Sequence, residues 1–259
     1  MLADRLERHV QPSLVRIGGS SITSWRNVDS LAGMGLDGNP APRVLLFVHG
    51  TFSSTRGGFG ALTAAPWGCA FLDAAVEQYD AVIGYDHRTL SEDPKKNAEA
   101  MLAALRTVDW KGTPQFDIIT HSRGGLVFRS LTEQLLPSSG FKATFKNAVF
   151  AGVPNAGTEL ARRKNWNDLI NLYTNGAAML FRLIGGLAPA AAPIAAGFAE
   201  GITILGSLVK YLAEAATSDV VPGLEAQVPD GRFVKELNRG NAGRPTPATT
   251  FYTWIGSTF

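Results

Sequence analysis

The residues best suited to chemistry lie in Phe116-Asp-Ile-Ile-Thr-His-Ser-Arg-Gly-Gly125. A short apolar run stops abruptly at Thr120-His-Ser-Arg-Gly124, and an amphipathic run follows at once. That is the strand, sharp turn and helix of a nucleophile elbow, with Ser122 at its tip and Thr120 in the first position of a G-x-S-x-G pattern. The turn forces a strained backbone at Ser122, so its neighbours must be small, and Gly124 and Gly125 let the following helix pass close to the strand. A serine so placed is a candidate nucleophile, which needs a base to take its proton. The four histidines are His9, His49, His87 and His121, and none follows Ser122.

Two further segments are expected beside the elbow, at the carboxyl ends of their strands, where open α/β sheets bind ligands. Val48-His-Gly-Thr-Phe52 follows an apolar strand as a tight loop, and the Thr51 N–H is the expected oxyanion donor, with the N–H of Arg123 as the second. Gly152-Val-Pro-Asn-Ala-Gly-Thr158 leaves the next strand and is expected to wall the pocket. His49, Gly50, Phe52, His121, Pro154 and Asn155 are thereby the expected substrate-lining residues. His49 more often holds such a loop by hydrogen bonds than moves protons. His87, after Tyr85-Asp86, is a candidate substitute base against a loop-stabilising role, and His121 should diverge from Ser122. Asp86 and His87 have no further ligands around them in sequence, so no metal and no cofactor is expected. Asp219 reads as a cap residue before it reads as a displaced acid.

The elements that must carry these segments alternate strand and helix. Arg43–Val48 and Ala81–Tyr85 are continuous apolar strands, as in a sheet covered on both faces. Pro94 through Leu105 reads as a helix with proline in its first turn. Phe116–Thr120 is the nucleophile strand. Its helix carries a stripe of Leu126, Val127, Leu131 and Leu135, and Pro137 should stop it. Asn147–Ala151 and Thr249–Ile255 are the remaining strands, and Ser13–Ile17 is expected to add a short antiparallel edge. The fold class is α/β, a doubly wound, mostly parallel sheet. Residues 1–165 and 230–259 form its core. Residues 166–229 form an apolar helical cap inserted into the same domain. Within the cap, Leu183 to Ala199 carries no charge and is interrupted by Pro189 and Pro193. It reads as a buried helical hairpin over the pocket, since a membrane span needs about 20 residues.

Composition limits the rest. The chain of 259 residues has 45% hydrophobic and 18% charged residues, which suits one globular domain with a large core. With 24 Lys and Arg against 22 Asp and Glu there is no basic block, so no nucleic-acid partner is expected. The single cysteine, Cys69, excludes an internal disulfide and reads as a small core residue. No apolar leader opens the sequence, so a cytoplasmic protein is expected.

Together, the His-Gly loop, the Thr-His-Ser-Arg-Gly-Gly elbow and Pro154-Asn-Ala-Gly-Thr158 resemble the α/β-hydrolase family, and within it the lipase-like esterases. The resemblance covers Arg43 to Thr158, and the rest only by order of elements. It implies a serine hydrolase acting on carboxylic esters, with a small-molecule or lipid substrate of apolar acyl type. It also implies contact with a membrane surface through the cap. The chain departs from the pattern at Thr120, where glycine is usual, and at Asn155, where lipases often carry histidine. In that family the chain order is Ser, then Asp or Glu, then His. The acid follows the strand that this chain reaches at Thr249–Ile255, so acid and histidine are expected beyond Phe259, with a fused downstream domain. The alternative is a catalytically inactive module that recruits partners.

Overall fold

The computed structural model describes residues 3–4, 7–28, 36, 39–108, 110–185, 206, 221–239 and 251–256, with the backbone alone for 176–185 and 251. Seven strands form one sheet: β1 (Ser13–Arg16), β2 (Arg26–Val28), β3 (Arg43–Val48), β4 (Ala81–Asp86), β5 (Gln115–His121), β6 (Thr144–Ala151) and β7 (Phe251–Ile255). Their order is β2-β1-β4-β3-β5-β6-β7. β1 runs antiparallel to both neighbours, and every other pair is parallel. The antiparallel margin expected at the amino end is therefore two strands wide, with β1 one place in from the edge.

The central strands are apolar because both faces are covered. Leu46, Val48, Ile83 and Ile118 pack beneath Met101, Leu102 and Leu105 of α3 (Pro94–Arg106) and Val127 and Phe128 of α4 (Gly124–Arg129). Leu45, Phe47 and Val82 pack on the other face with Trp25, Phe59 of α1 (Thr55–Phe59) and Leu72 and Ala75 of α2 (Pro66–Gln78). Asp93 caps α3 by accepting from Lys96 N–H at 2.9 Å, with Pro94 in the first turn where its missing N–H costs nothing.

The helix after the elbow does not stop at Pro137. It widens into a π-helical stretch, Ser130–Leu135, then continues as α5 (Leu136–Ser139), and ends at Gly140 with φ 70°. Proline lacks an N–H and its ring excludes the carbonyl four residues back; the wider register carries the backbone past that conflict, and a left-handed glycine closes the helix. Cys69 also departs from expectation. It is half-buried on α2, with its thiol donating to Thr63 O at 3.3 Å.

A third apolar cluster sits beyond the carboxyl ends of the strands. Phe52 and Leu90 meet Trp166, Leu169 and Ile170 of α6 (Trp166–Gly185) and Val221 and Leu224 at α7 (Pro222–Glu225). Both ends of the expected cap are thus anchored in core. Residues 186–199 of the charge-free run, and Asp219, lie outside the described residues. Among the described residues no single helix is long and apolar enough to cross a membrane.

Candidate functional site

Strand register brings the chemical segments together. Val48 lies opposite Thr120, and His121 opposite Ala151, so the loops after β3, β5 and β6 leave the sheet side by side. Ser122 has φ 50°, in the left-handed region that a residue with a Cβ occupies only under strain. Its N–H donates to Ala151 O at 2.8 Å, and its carbonyl accepts from Gly125 N–H at 3.1 Å. That closes the turn and leaves the Arg123 amide at the head of α4. The loop after β3 comes close: a Cβ on Gly50 would stand 2.8 Å from Ser122 Cβ and 3.1 Å from His121 O. Only glycine permits that approach, which brings Thr51 and Arg123 to the same serine.

The Thr51 loop is held from behind. Phe52 has φ 54°, and its N–H donates to Thr89 Oγ1 at 3.2 Å. Thr89 is fixed by Glu7, a buried carboxylate. Glu7 accepts from the N–H groups of Thr89, Leu90 and Ser91 at 2.6, 2.9 and 2.8 Å, and from both hydroxyls at 3.0 and 2.8 Å. Five donors on one carboxylate supply the hydrogen bonds that a buried charge requires. On the other side, Gln227 Nε2 donates to Gly223 O at 2.8 Å and to Thr51 Oγ1 at 3.2 Å.

The expectation that His49 lines the substrate surface is corrected by its surroundings. Its ring is fully buried, and the His87 N–H donates to Nε2 at 3.2 Å, so Nε2 is the acceptor and Nδ1–H donates to Gly50 O at 2.9 Å. Both nitrogens hold the loop. Burial lowers its pKa, against the opposing pull of Asp86. His87 stacks on His49 with centroids 4.0 Å apart, and on Tyr85 at 5.4 Å. Burial, and then His49, push His87 well below the ordinary imidazole range, so both rings are neutral. Asp86 is committed elsewhere, accepting from Thr55 N–H at 2.6 Å. His9 is at the surface, accepting from Arg8. His121 is exposed, with its Nδ1 edge toward Gly50.

Arg123 contributes its amide at the turn, but its side chain turns inward and is fully buried. Nη2 donates to Asn97 Oδ1 at 2.7 Å and to Glu92 O, while Nε and Nη1 have no partner among the described residues. Burial lowers its pKa to about 10, opposed by Glu7, Asp93 and Glu92, so it stays charged at neutral pH. In the loop after β6, Pro154 O accepts from Gly157 N–H at 2.9 Å. Asn155 Oδ1 accepts from Arg129 Nη1 at 3.1 Å, and Asn155 O from Asn238 Nδ2 at 2.8 Å. Arg129 in turn grips Glu133 at 2.8 and 3.0 Å. The Asn155 amide oxygen is thereby tied to α4.

The sequence did not announce Tyr173. Its ring packs edge-on to Phe52 at 5.2 Å, with the Ser122 and Thr51 hydroxyls near its own. Burial raises its pKa, against the pull of those two hydroxyls, so the phenol is un-ionised. A signal was present. Trp166, Leu169, Ile170 and Tyr173 follow helical spacing, and a phenol at the end of a core-facing stripe needs a polar partner.

Residues 12–259 match the family described as Domain of unknown function (DUF7379). No curated protein matches the chain. Among solved structures, it is similar to the phospholipase PlaB of Legionella pneumophila at 16% identity and TM-score 0.50, over 83% of this chain and 39% of that one. It is also similar to the Bacillus licheniformis lipase BlEst2, at 18% identity and TM-score 0.45 over 85% of this chain and 69% of that one. A metagenomic carboxyl esterase, MGS0156, is similar at 14% identity and TM-score 0.40, over 83% of this chain and 49% of that one. The chain thus spans less than half the length of PlaB and of MGS0156. At such identities the likeness is one of fold. The sheet order, the antiparallel margin at its amino end and the strained serine turn agree with that fold. The chain belongs to the DUF7379 family, and its architecture is the α/β-hydrolase fold.

Proposed function

We propose that the site is that of a serine hydrolase acting on carboxylic esters with an apolar acyl group. The observation that carries this is Ser122 at φ 50°, on a turn where Gly50 admits the Thr51 loop to within contact of the nucleophile. Ser122 Oγ attacks the ester carbonyl, and the amides of Thr51 and Arg123 receive the oxyanion. Loss of the alcohol leaves an acyl-serine, and water then releases the acid. The apolar side of the site, Phe52 and Tyr173 with Leu90 behind them, favours an acyl chain over a charged group. Contact of the 166–229 segment with a lipid surface belongs to this reading as the route by which such esters arrive.

None of the hydrogen bonds made by His9, His49 and His87 reaches Ser122, and His121 is exposed beside it. That observation favours one second reading, a module that keeps the turn as scaffold and recruits partners.

Covalent labelling by a fluorophosphonate, read by intact mass, separates the two. The hydrolase reading expects one adduct at Ser122, none in Ser122→Ala, and ester turnover about 10⁴-fold or more below that of a complete triad. A folded protein whose Ser122 takes no adduct refutes it in favour of the scaffold.

A further inference from the structure

Glu7 precedes residues 12–259, the part of the chain that matches the family, yet its side chain is buried beside the site. Its own backbone is docked. Glu7 N–H donates to Ala3 O at 3.0 Å, and Ala3 is buried in the cluster that holds Phe52, Leu90 and Leu224. A few residues on, Arg88 Nε donates to Val10 O at 3.0 Å.

Two lines of hydrogen bonds run from Glu7 to the loop after β3, and their directions follow from the groups involved. Phe52 N–H can only donate, so Thr89 Oγ1 accepts from it at 3.2 Å. The Thr89 hydroxyl proton then goes to Glu7 Oε1 at 3.0 Å, a carboxylate oxygen that accepts. The second line starts one residue further. Leu90 O accepts from Gly223 N–H at 2.9 Å, Gly223 O accepts from Gln227 Nε2 at 2.8 Å, and that nitrogen donates to Thr51 Oγ1 at 3.2 Å. Gly223 lies so close to residues 89–91 that a Cβ on it would collide with Thr89 O. Both bonds on Thr51 and Phe52 thus trace back to residues 89–91, and Glu7 gathers those residues by accepting from five of their donors.

The backbone held in this way is strained. Phe52 keeps φ 54°, a left-handed conformation that an aromatic residue retains only where its surroundings over-determine it. On the amino side, His49 Nδ1–H donates to Gly50 O at 2.9 Å. In a trans peptide the C=O and the next N–H point opposite ways, so Thr51 N–H faces away from the His49 ring. Thr51 therefore sits between a peptide fixed by His49 and a peptide fixed by Thr89. Release of the second lets Phe52 return to negative φ, and the rotation passes to Thr51.

We propose that Glu7 is a positioning residue for the oxyanion donor: through Thr89, and through Gly223 and Gln227, it holds the direction of Thr51 N–H beside Ser122. The proposal rests on the Thr51 amide as oxyanion donor and deepens that reading. Glu7 acts at one remove, with its own bonds on residues 89–91.

Two reactions of one thiol separate positioning from general stability. In a Cys69→Ser background, the Ser122→Cys thiolate displaces p-nitrophenolate from p-nitrophenyl acetate by way of a tetrahedral oxyanion. The same thiolate displaces iodide from iodoacetamide at a saturated carbon, with no oxyanion. A change in thiol exposure or thiolate fraction moves both rates together, so their ratio reads the donor. Glu7→Gln keeps the length of the side chain but sets an N–H against donors of residues 89–91. It is expected to lower the ratio about tenfold, part of the roughly 10²- to 10³-fold that loss of a whole oxyanion donor costs. Thr89→Val keeps the main-chain bonds to Glu7 and removes the acceptor of Phe52 N–H, and it should lower the ratio by a similar factor. Thr89→Ser keeps the hydroxyl and should hold the ratio within about threefold. An unmoved ratio in folded Glu7→Gln or folded Thr89→Val overturns the proposal. So does a ratio lowered equally by Thr89→Ser, which makes the effect one of packing. Where Glu7→Gln does not fold, the Thr89 pair decides. Fluorophosphonate labelling keeps the two readings apart. A lowered ratio with an unlabelled Ser122 upholds the brace and sinks the hydrolase reading, and a labelled Ser122 with an unmoved ratio sinks the brace alone.

Discussion

Gly124→Ala tests the close passage of α4 over β3. A Cβ at position 124 would stand 2.3 Å from Val48 O and 2.6 Å from His49 O, where ordinary contact begins at 3.4 Å. Both obstacles are backbone carbonyls of a central strand and its loop, which cannot rotate aside as a flexible side chain would. The helix must lift by about an ångström, at an overpacking cost near the upper end of the usual 1–3 kcal/mol, about 3 kcal/mol. Alanine recovers up to about 1 kcal/mol through its better helix propensity. The steric term wins, and the net loss is about 2 kcal/mol. In urea this is a midpoint lowered by about 0.7 M at unchanged m-value. Because Arg123 rides on the same turn, its amide moves with the helix, and fluorophosphonate labelling of Ser122 should slow about 100-fold. Gly256→Ala, which would meet nothing within 4 Å, is the control and should alter neither. A Gly124→Ala protein with an unchanged or raised urea midpoint would refute the close approach and the account of the elbow built on it.

Two further outcomes are expected. His49 and His87 have pKa values lowered in the folded state, so as pH falls through about 6.5 the unfolded chain binds more protons, and stability must fall with it. The slope is at most about 1.4 kcal/mol per pH unit for each ring, and His87→Phe, which keeps the stack, should flatten it in urea titrations; an unchanged slope would be contrary. At β7, Trp254 and Ile255 are each 58% exposed, and β7 is an edge strand among the described residues. Ile255→Lys should leave the unfolding free energy within about 0.5 kcal/mol and reduce self-association in sedimentation, and equal association by both proteins would contradict an edge-pairing account.

Much of the architecture was legible because it rests on local rules. Continuous apolar runs at Arg43–Val48 and Ala81–Asp86 are what a strand covered on both faces must look like, and Thr-His-Ser-Arg-Gly encodes a turn whose backbone strain few sequences tolerate. The path of the helix through Pro137 was misread, because proline forbids the ordinary ladder but not a wider one. The support of the site was illegible for a different reason. Glu7, Thr89, Gln227 and Tyr173 are scattered along the chain, and each looks like an ordinary residue in its own segment. Only the folded distance joins Glu7 to Thr89, or Gln227 to Thr51. The inward turn of Arg123 was equally hidden, since nothing local says that a charged side chain beside Ser122 points into the core.

The grip of Glu7 on residues 89–91 also has a bearing on the order in which the molecule assembles. Those hydrogen bonds close a loop of 82 to 84 residues. Contacts of such sequence separation reward the chain only after the entropy of closure has been met, so they form late. Glu7 thus waits for partners placed 82 to 84 residues further along the chain. Thr89 holds Phe52 N–H, and Phe52 follows Thr51. The loop beside Ser122 therefore takes its final shape only once the Glu7 clasp has closed, and local opening of that clasp releases it.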